Sequence, residues 1–487
     1  MLEVVLALER QGRVAEAITF YERLLQDCPA LPDCWYNLAR LQRHTGHYTR
    51  ALASYQEALE RNVTSPEEVH LNRGVIFSDY LNQYDAAEGE LKKALQLSPN
   101  YVPALINYAG LHEDFGRREL AAQMYERVLA LDPESPTALA RLAGLKEFSD
   151  PEDPLITRLQ AALPNTQISL AARANLEFAL GRALDSCGSH EVAFQTYRQA
   201  NRHSRESAPP GTGHYDRALQ ETFTDQLISV FANSAPQWLQ PQTLSAAALP
   251  QPLFICGMFR SGSTLLEQLL AGHPSISAGG ELDFIPVAVN TSLAPFPASF
   301  PAVSAEQLSR LAAGYRAMLA ERFPPARYIT DKRPDNFLYI PLIKALFPQA
   351  KIIHPVREAL DNCLSIYFLH LDQAMSYALD LMDIGHYYRQ YRRVMRHWKS
   401  LYGADILDVS YDTLVQEVKP QLEQVLQCLG LDWDERCASV PATGRAVKTA
   451  SVWQVRAAVH ARASGRARNY QAQLEELRKY IESPLYQ

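Results

Sequence analysis

With 487 residues, 47% hydrophobic and 21% charged, the chain is several ordinary ~150-residue domains long and globular in composition, which excludes wholesale disorder and a collagen-like fibre. A formal net charge of -7 gives no global attraction for nucleic acid or an anionic membrane, so an anionic ligand requires a locally basic pocket. With no run of ~18 apolar residues and no leader-like N-terminus, a cytoplasmic chain without a membrane span is expected, and seven scattered cysteines without a C-x-x-C pair predict reduced thiols, not a disulfide framework or zinc site.

The first elements repeat. Ala17, Ala51, Ala87 and Ala121 recur at spacings of 34, 36 and 34 residues, each followed four positions later by Tyr21, Tyr55, Leu91 or Tyr125, and Pro29, Pro99 and Pro133 close three of the units. The small residue permits close helix approach and the large one fills the gap beside it. With Trp35, Leu38 and Ala39 opening the second unit, the pattern resembles the tetratricopeptide repeat. A degenerate later unit is expected over 178–200, where Ala193, Tyr197 and Ala200 hold the places of Ala121, Tyr125 and Val128. Between them Ser149 to Pro154 cannot continue a helix. Met1 falls a few residues late for a complete first helix, so either the true start lies upstream or that helix is short. The solenoid over 1–205 either supports the rest of the chain or presents a protein or peptide in its groove.

A junction over 206–250 follows, with turn-rich breaks flanking one amphipathic helix from His214 to Phe231. Beyond it, short apolar runs alternate with helical patterns: Leu253 to Cys256 then Thr264 to Ala271; Tyr328 to Thr330 then Leu338 to Leu346; Ala350 to Pro355 then Ala359 to Leu369; Ile406 to Val409 then Pro420 to Leu429. Strand then helix, repeated, predicts an α/β domain over 251–487 with a mostly parallel central sheet, binding ligands at the strands' carboxyl ends.

Gly257 to Thr264 reads as a strand, a glycine turn and a helix start, the order an anion cradle requires. The spacing Gly257-x4-Gly262 nearly reproduces the P-loop, but Ser263 stands where that motif has Lys, and the cation sits inside the loop at Arg260. In the segment Arg260-Ser261-Gly262-Ser263-Thr264 the chain resembles sulfotransferases that use 3'-phosphoadenosine 5'-phosphosulfate (PAPS). The family's second motif, an Arg at a strand end and a Ser eight residues on, is matched by Arg357 and Ser365. Repeats joined to such a domain resemble the tetratricopeptide-repeat sulfotransferases, whose catalytic half is similar to protein-tyrosine sulfotransferases. The resemblance implies that Arg260 and Ser261 to Thr264 hold the 5'-phosphosulfate, and that Arg357 and Ser365 hold the 3'-phosphate. No metal is expected.

Sulfuryl transfer to a hydroxyl requires a base for the hydroxyl proton and a cation for the departing oxygen. By the resemblance, Lys332, in Asp331-Lys332-Arg333-Pro334, stabilises that oxygen together with Arg260, and Glu281, after Gly279 and Gly280, is the base. Asp331 and Asp335 are alternative ion-pair partners for Lys332 and Arg333. Protein-tyrosine sulfotransferases carry an Arg two residues beyond the Glu, whereas this chain has Asp283, so the acceptor stays open among protein tyrosine, glycan and small molecule. His273 and His354 precede Pro and are expected at turns or strand ends. Ser451 and Arg466 resemble the late segment that closes over the nucleotide; alternatively the arginines near them form a solvated face. Two rival readings are a P-loop kinase or NTPase, weakened by Ser263 in place of Lys, and a non-catalytic repeat scaffold with a decayed nucleotide-binding domain.

Overall fold

The computed structural model describes residues 2–212, 214–232, 250–371, 375–439 and 464–483. Its contacts divide the chain into two compact units, with the boundary between Lys146 and Glu147.

The first unit is a run of antiparallel helix pairs closed by a single helix: α1 (Leu2–Arg10), α2 (Val14–Asp27), α3 (Pro32–His44), α4 (Tyr48–Glu60), α5 (Pro66–Val75), α6 (Tyr84–Leu97), α7 (Val102–Asp114), α8 (Arg118–Leu131) and, unpaired, α9 (Pro136–Leu145). Proline stands in the first turn of α3, α5, α7 and α9, where its missing N–H costs nothing. The period survives as burial: Ala17, Ala51, Ala87 and Ala121 are each fully buried. Within each pair the turn needs one residue of positive φ, supplied by Gly12 (71°), Gly46 (79°), Asn82 (54°) and Gly116 (71°); Asn is the side chain that tolerates this region best. The two extra residues of the 36-residue spacing also have a place. They lie between the start of α5 and Asn82, where the helix loosens into a π-helical stretch, Ile76–Tyr80, whose wider turns take up the excess.

The second unit opens with α10 (Pro154–Ala162), α11 (Leu170–Ser186), α12 (His190–Glu206) and α13 (Arg217–Val230). The α11–α12 hairpin carries the degenerate repeat: Ala193, Tyr197 and Ala200 are buried, and Gly181 admits the Tyr197 ring, which a Cβ would meet at 3.0 Å. Its other partners are in the sheet domain. Tyr197 stacks on Phe368 with ring centroids 3.9 Å apart, and Asn201 Nδ2 donates to the Tyr367 carbonyl at 2.9 Å. Compactness therefore divides just before the Ser149 to Pro154 break, whereas the repeat pattern in the sequence runs on to 205.

Five parallel strands, β1 (Gln251–Ile255), β2 (Ile276–Ser277), β3 (Tyr328–Asp331), β4 (Ile352–Val356) and β5 (Ile406–Ser410), form a sheet in the order β2-β3-β1-β4-β5. Four of them match the apolar runs; β2 is too short for any periodicity. The helices that follow are α14 (Ser263–Leu270), α15 (Phe284–Asn290), α16 (Ala305–Arg322), α17 (Ile340–Leu346), α18 (Ala359–Tyr367), α19 (Leu381–Tyr402), α20 (Tyr411–Leu414), α21 (Val418–Cys428) and a last one, Glu475–Glu482. On one face Leu253, Ile255 and Ile353 pack with Leu266, Leu269 and Leu270 of α14 and Val425 and Leu426 of α21. On the other, Phe254 meets Tyr315 of α16 and Phe347 after α17. With both faces covered, only the strand ends remain for a ligand. Connections leave β1 toward β2 and β4 toward β5, so the order reverses between β1 and β4, whose carboxyl ends are where sheets of this kind have their ligand crevice. Among the described residues no helix is long and apolar enough to cross a membrane.

Candidate functional site

Two loops meet at that crevice. The one after β1 turns on two residues of positive φ, Arg260 (66°) and Gly262 (98°). For Arg260 this conformation costs about 1 kcal/mol or more and persists only where surroundings enforce it. Three contacts enforce it here. Arg357, after β4, donates from Nη1 to the Arg260 carbonyl at 3.2 Å; Asn362 Nδ2 donates to the Phe259 carbonyl at 2.9 Å; and Arg260 Nε donates to Ser365 Oγ at 3.1 Å. Gly262 is required twice over, for its φ and because a Cβ there would stand 2.3 Å from the Tyr411 ring. Gly262 is also the N-cap of α14, and having no side chain it cannot itself cap that helix.

The electrostatics are those of buried guanidiniums crowded together. Burial, followed by the neighbouring Arg357 and Arg466, lowers Arg260 to about 10, and burial likewise lowers Arg357. The Arg357 guanidinium lies 4.9 Å from the Tyr411 ring centroid. Ser261 Oγ is buried without a hydrogen-bond partner among the described residues, an expensive state for a hydroxyl unless a ligand or water completes it.

Beside this crevice, at the end of β3, Lys332 Nζ donates to Glu281 Oε1 at 2.5 Å. The lysine side chain is 4% exposed and the glutamate 43%, so the pair has a buried cation and a carboxylate open to solvent. A network from α14 sets it. Glu267 Oε1 accepts from Thr330 Oγ1 (2.5 Å) and from the Gly280 amide (3.0 Å), Thr330 Oγ1 accepts from the Gly279 amide (2.9 Å), and the Lys332 amide donates to the Gly280 carbonyl (2.8 Å). Gly279 has no room for a side chain, since a Cβ would stand 2.1 Å from the Thr330 carbonyl oxygen.

Residues 252–435 match the sulfotransferase family model, and residues 1–41, 32–63 and 81–144 match tetratricopeptide repeat models. The chain joins tetratricopeptide repeats to a sulfotransferase-family domain. An uncharacterized protein of Aquifex aeolicus (strain VF5) is 27% identical over 97% of this chain, which spans 64% of that relative's length. Protein-tyrosine sulfotransferase 1 of Danio rerio is 25% identical over 194 residues, 38% of this chain and 54% of the relative. The sulfotransferase domain of the Synechococcus PCC 7002 olefin synthase is 22% identical over 51% of this chain and all of that one, with a TM-score of 0.36.

Within the sulfotransferase domain, Arg260, Ser261, Gly262, Arg357 and Ser365 come together at one crevice, Ser263 and Thr264 form the first turn of α14, and Glu281 meets Lys332. Neither Asp331 nor Asp335 takes Lys332. Asp331 is buried with Tyr315 Oη (2.8 Å) and Asn336 Nδ2 (2.9 Å) donating to it. Asp335 pairs with Arg333, which also reaches Asp283 at 2.6 Å. A cation thus stands against Asp283, where protein-tyrosine sulfotransferases were expected to carry an Arg in sequence. His273 accepts from the Ser275 amide in a turn (3.1 Å). His354 lies in β4 between Asp408 (2.8 Å) and Tyr391, buried, with its protonation disfavoured first by desolvation. Arg466 donates to Asp185 Oδ2 at 2.5 Å and lies 4.9 Å over the Phe368 ring. Ser451 lies outside the described residues. The sequence reading missed Glu267, Thr330, Asn362 and Tyr411. Only Glu267 left a signal, a lone carboxylate within the apolar run Leu265 to Leu270.

Proposed function

We propose that the sulfotransferase domain moves a sulfuryl group from PAPS to an acceptor hydroxyl. The observation that carries this reading is the 3.1 Å bond between Arg260 and Ser365, 105 residues apart. It joins the loop expected at the 5'-phosphosulfate to the helix expected at the 3'-phosphate, beside a Lys–Glu pair.

The residues fit such a donor. The first turn of α14, Ser261 Oγ, Ser263 and Thr264 would hold the 5'-phosphate, with Arg260 opposing its charge. Arg357 and Ser365 would hold the 3'-phosphate, and its negative charge would relieve the repulsion between the two buried guanidiniums. When bound, the donor supplies the transferable sulfuryl group; the remaining chemistry falls to the chain. Glu281 accepts the acceptor's hydroxyl proton at its solvent-facing carboxylate. Lys332 stabilises the departing oxygen, and Glu267 with Thr330 holds the backbone that places both. No step in this scheme requires a metal. The protein-tyrosine sulfotransferase relatives make a peptide tyrosine the first acceptor to test, ahead of glycans and small phenols. A cytoplasmic location and a repeat groove that presents a protein or peptide complete the reading.

The test is transfer of labelled sulfate from PAPS to tyrosine peptides and glycans. Loss of transfer in both Lys332→Ala and Glu281→Ala is the expected result; wild-type rates in both would overturn the mechanism. Calorimetry with adenosine 3',5'-bisphosphate (PAP) and with ATP separates this reading from a kinase or NTPase, because only a PAPS site favours the 3'-phosphate.

A further inference from the structure

The segment that follows residue 463 is fastened to two carboxylates near the Arg357–Tyr411 contact, Asp361 and Asp412. The Gly465 and Ala467 amides both donate to the Asp361 carboxylate of α18, which is buried. Ser464 Oγ donates to Asp412 Oδ1 at 2.6 Å, while Asp412 Oδ2 accepts from the Glu358 amide at 2.9 Å. The backbone on either side of Arg466 is therefore fixed against α18, the helix that follows Arg357 and carries Ser365.

What remains free in such an arrangement is the long side chain of Arg466, and a residue of the helical hairpin takes that freedom away. Asp185, near the end of α11, accepts from Arg466 Nη2 at 2.5 Å through Oδ2 and from the Tyr470 hydroxyl through Oδ1. His190, at the start of α12, stands 3.4 Å from the same carboxylate, and Phe368 lies beneath the guanidinium. Arg466 is close enough to Arg260 and Arg357 to disfavour their protonation, after burial has done most of this. Against desolvation, the Asp185 carboxylate holds the charge of Arg466.

We propose that Asp185 is a positioning residue for donor recognition: it fixes Arg466 as the third cation of the 3'-phosphate site, so that the α11–α12 hairpin is a working part of the sulfotransferase domain. This inference rests on the reading of the crevice as a PAPS site. A carboxylate on a repeat-like helix thereby sets nucleotide selectivity without touching the nucleotide.

The experiment measures affinities for PAP and for AMP, which lacks the 3'-phosphate, by calorimetry on the full chain at one ionic strength. Asp185→Asn, Arg466→Gln, the double variant and Tyr470→Phe are compared with wild type. Asp185→Asn should weaken PAP binding about tenfold, leave AMP binding within about twofold, and add nothing once Arg466 is Gln, since acting through one partner produces full coupling in a double-mutant cycle. Tyr470→Phe, which keeps the ring and removes one donor to Asp185, should shift PAP affinity the same way by a smaller factor. Equal weakening toward both nucleotides, or additive losses in the double variant, would assign Asp185 a purely structural role and end the proposal. Wild-type protein that does not prefer PAP over AMP would instead remove the PAPS reading, and the role of Asp185 with it.

Discussion

The repeat unit and the sulfotransferase domain use their side chains in opposite ways. In the repeats, the residues that recur in sequence are those that vanish into the interior: Ala17, Ala51, Ala87 and Ala121 are fully buried, and Tyr21, Tyr55 and Tyr125 follow them. Each helix pair needs only its neighbour, so a period near 34 residues carries the architecture. In the sulfotransferase domain nothing recurs, and the candidate site residues stand at the ends of different strands. Arg260, Lys332 and Arg357 follow β1, β3 and β4. A repeat tolerates local error because the next repeat restates the rule, as Asn82 and the π-helical stretch show. A strand-end site has no such redundancy, and one misplaced glycine removes it.

That contrast can be broken at several points. The largest effect is expected from Lys332→Ala, which should lower sulfate transfer about a hundredfold to a thousandfold while leaving thermal unfolding of the repeats in place; coincident loss of repeat structure in calorimetric scans would show that the variant acts by unfolding and not by removing a cation. Next, Gly279→Ala forces a Cβ against the Thr330 carbonyl and should cost about 3 kcal/mol, read as a lowered denaturation midpoint of the sulfotransferase domain. A wild-type midpoint would mean the β2–β3 connection has slack the structure does not show.

A pH series sharpens the same domain. Burial holds the Asp331 carboxyl up at about 7, even with Tyr315 and Asn336 donating to it, against about 3.9 in an unfolded chain. The folded state therefore keeps this proton to higher pH, so the group's contribution is full below about pH 4 and is lost as pH rises through about 7. The stability difference between wild type and Asp331→Asn, measured by urea denaturation from pH 5 to 8, should fall with rising pH; a pH-independent difference would refute the assignment. In the repeats, Ala121→Leu should cost about 1–3 kcal/mol through overpacking without altering PAP affinity. The smallest effect is expected for Tyr125→Phe, about 1 kcal/mol from the lost 2.6 Å bond to Glu113.

Much of the fold was legible because burial imposes periodicity. The four apolar runs became four of the five strands, while β2, at Ile276–Ser277, was too brief to leave a pattern. Loop residues of the candidate site were legible for a different reason: Arg260 to Thr264 and Arg357 with Ser365 are local strings, each set by one strand-to-helix turn. Glu267, Thr330 and Asn362 were not, because each acts through a partner far away in the chain. The packing of the last repeat-like hairpin was not legible for a similar cause. Residues 170–206 keep repeat chemistry along the helix, yet Tyr197 and Asn201 spend it on Phe368 and Tyr367.

By itself the sequence determined that helix pairs stack, that strands alternate with helices, and that a glycine turn with an arginine precedes α14. These follow from side-chain size, polarity and backbone freedom over a few residues. Only the tertiary structure decided that Lys332 takes Glu281 and not Asp331, that Arg357 locks the strained backbone of Arg260, and that Arg466 answers to Asp185. Such choices depend on which charges are buried next to one another, and that is settled by the folding of distant segments into one crevice.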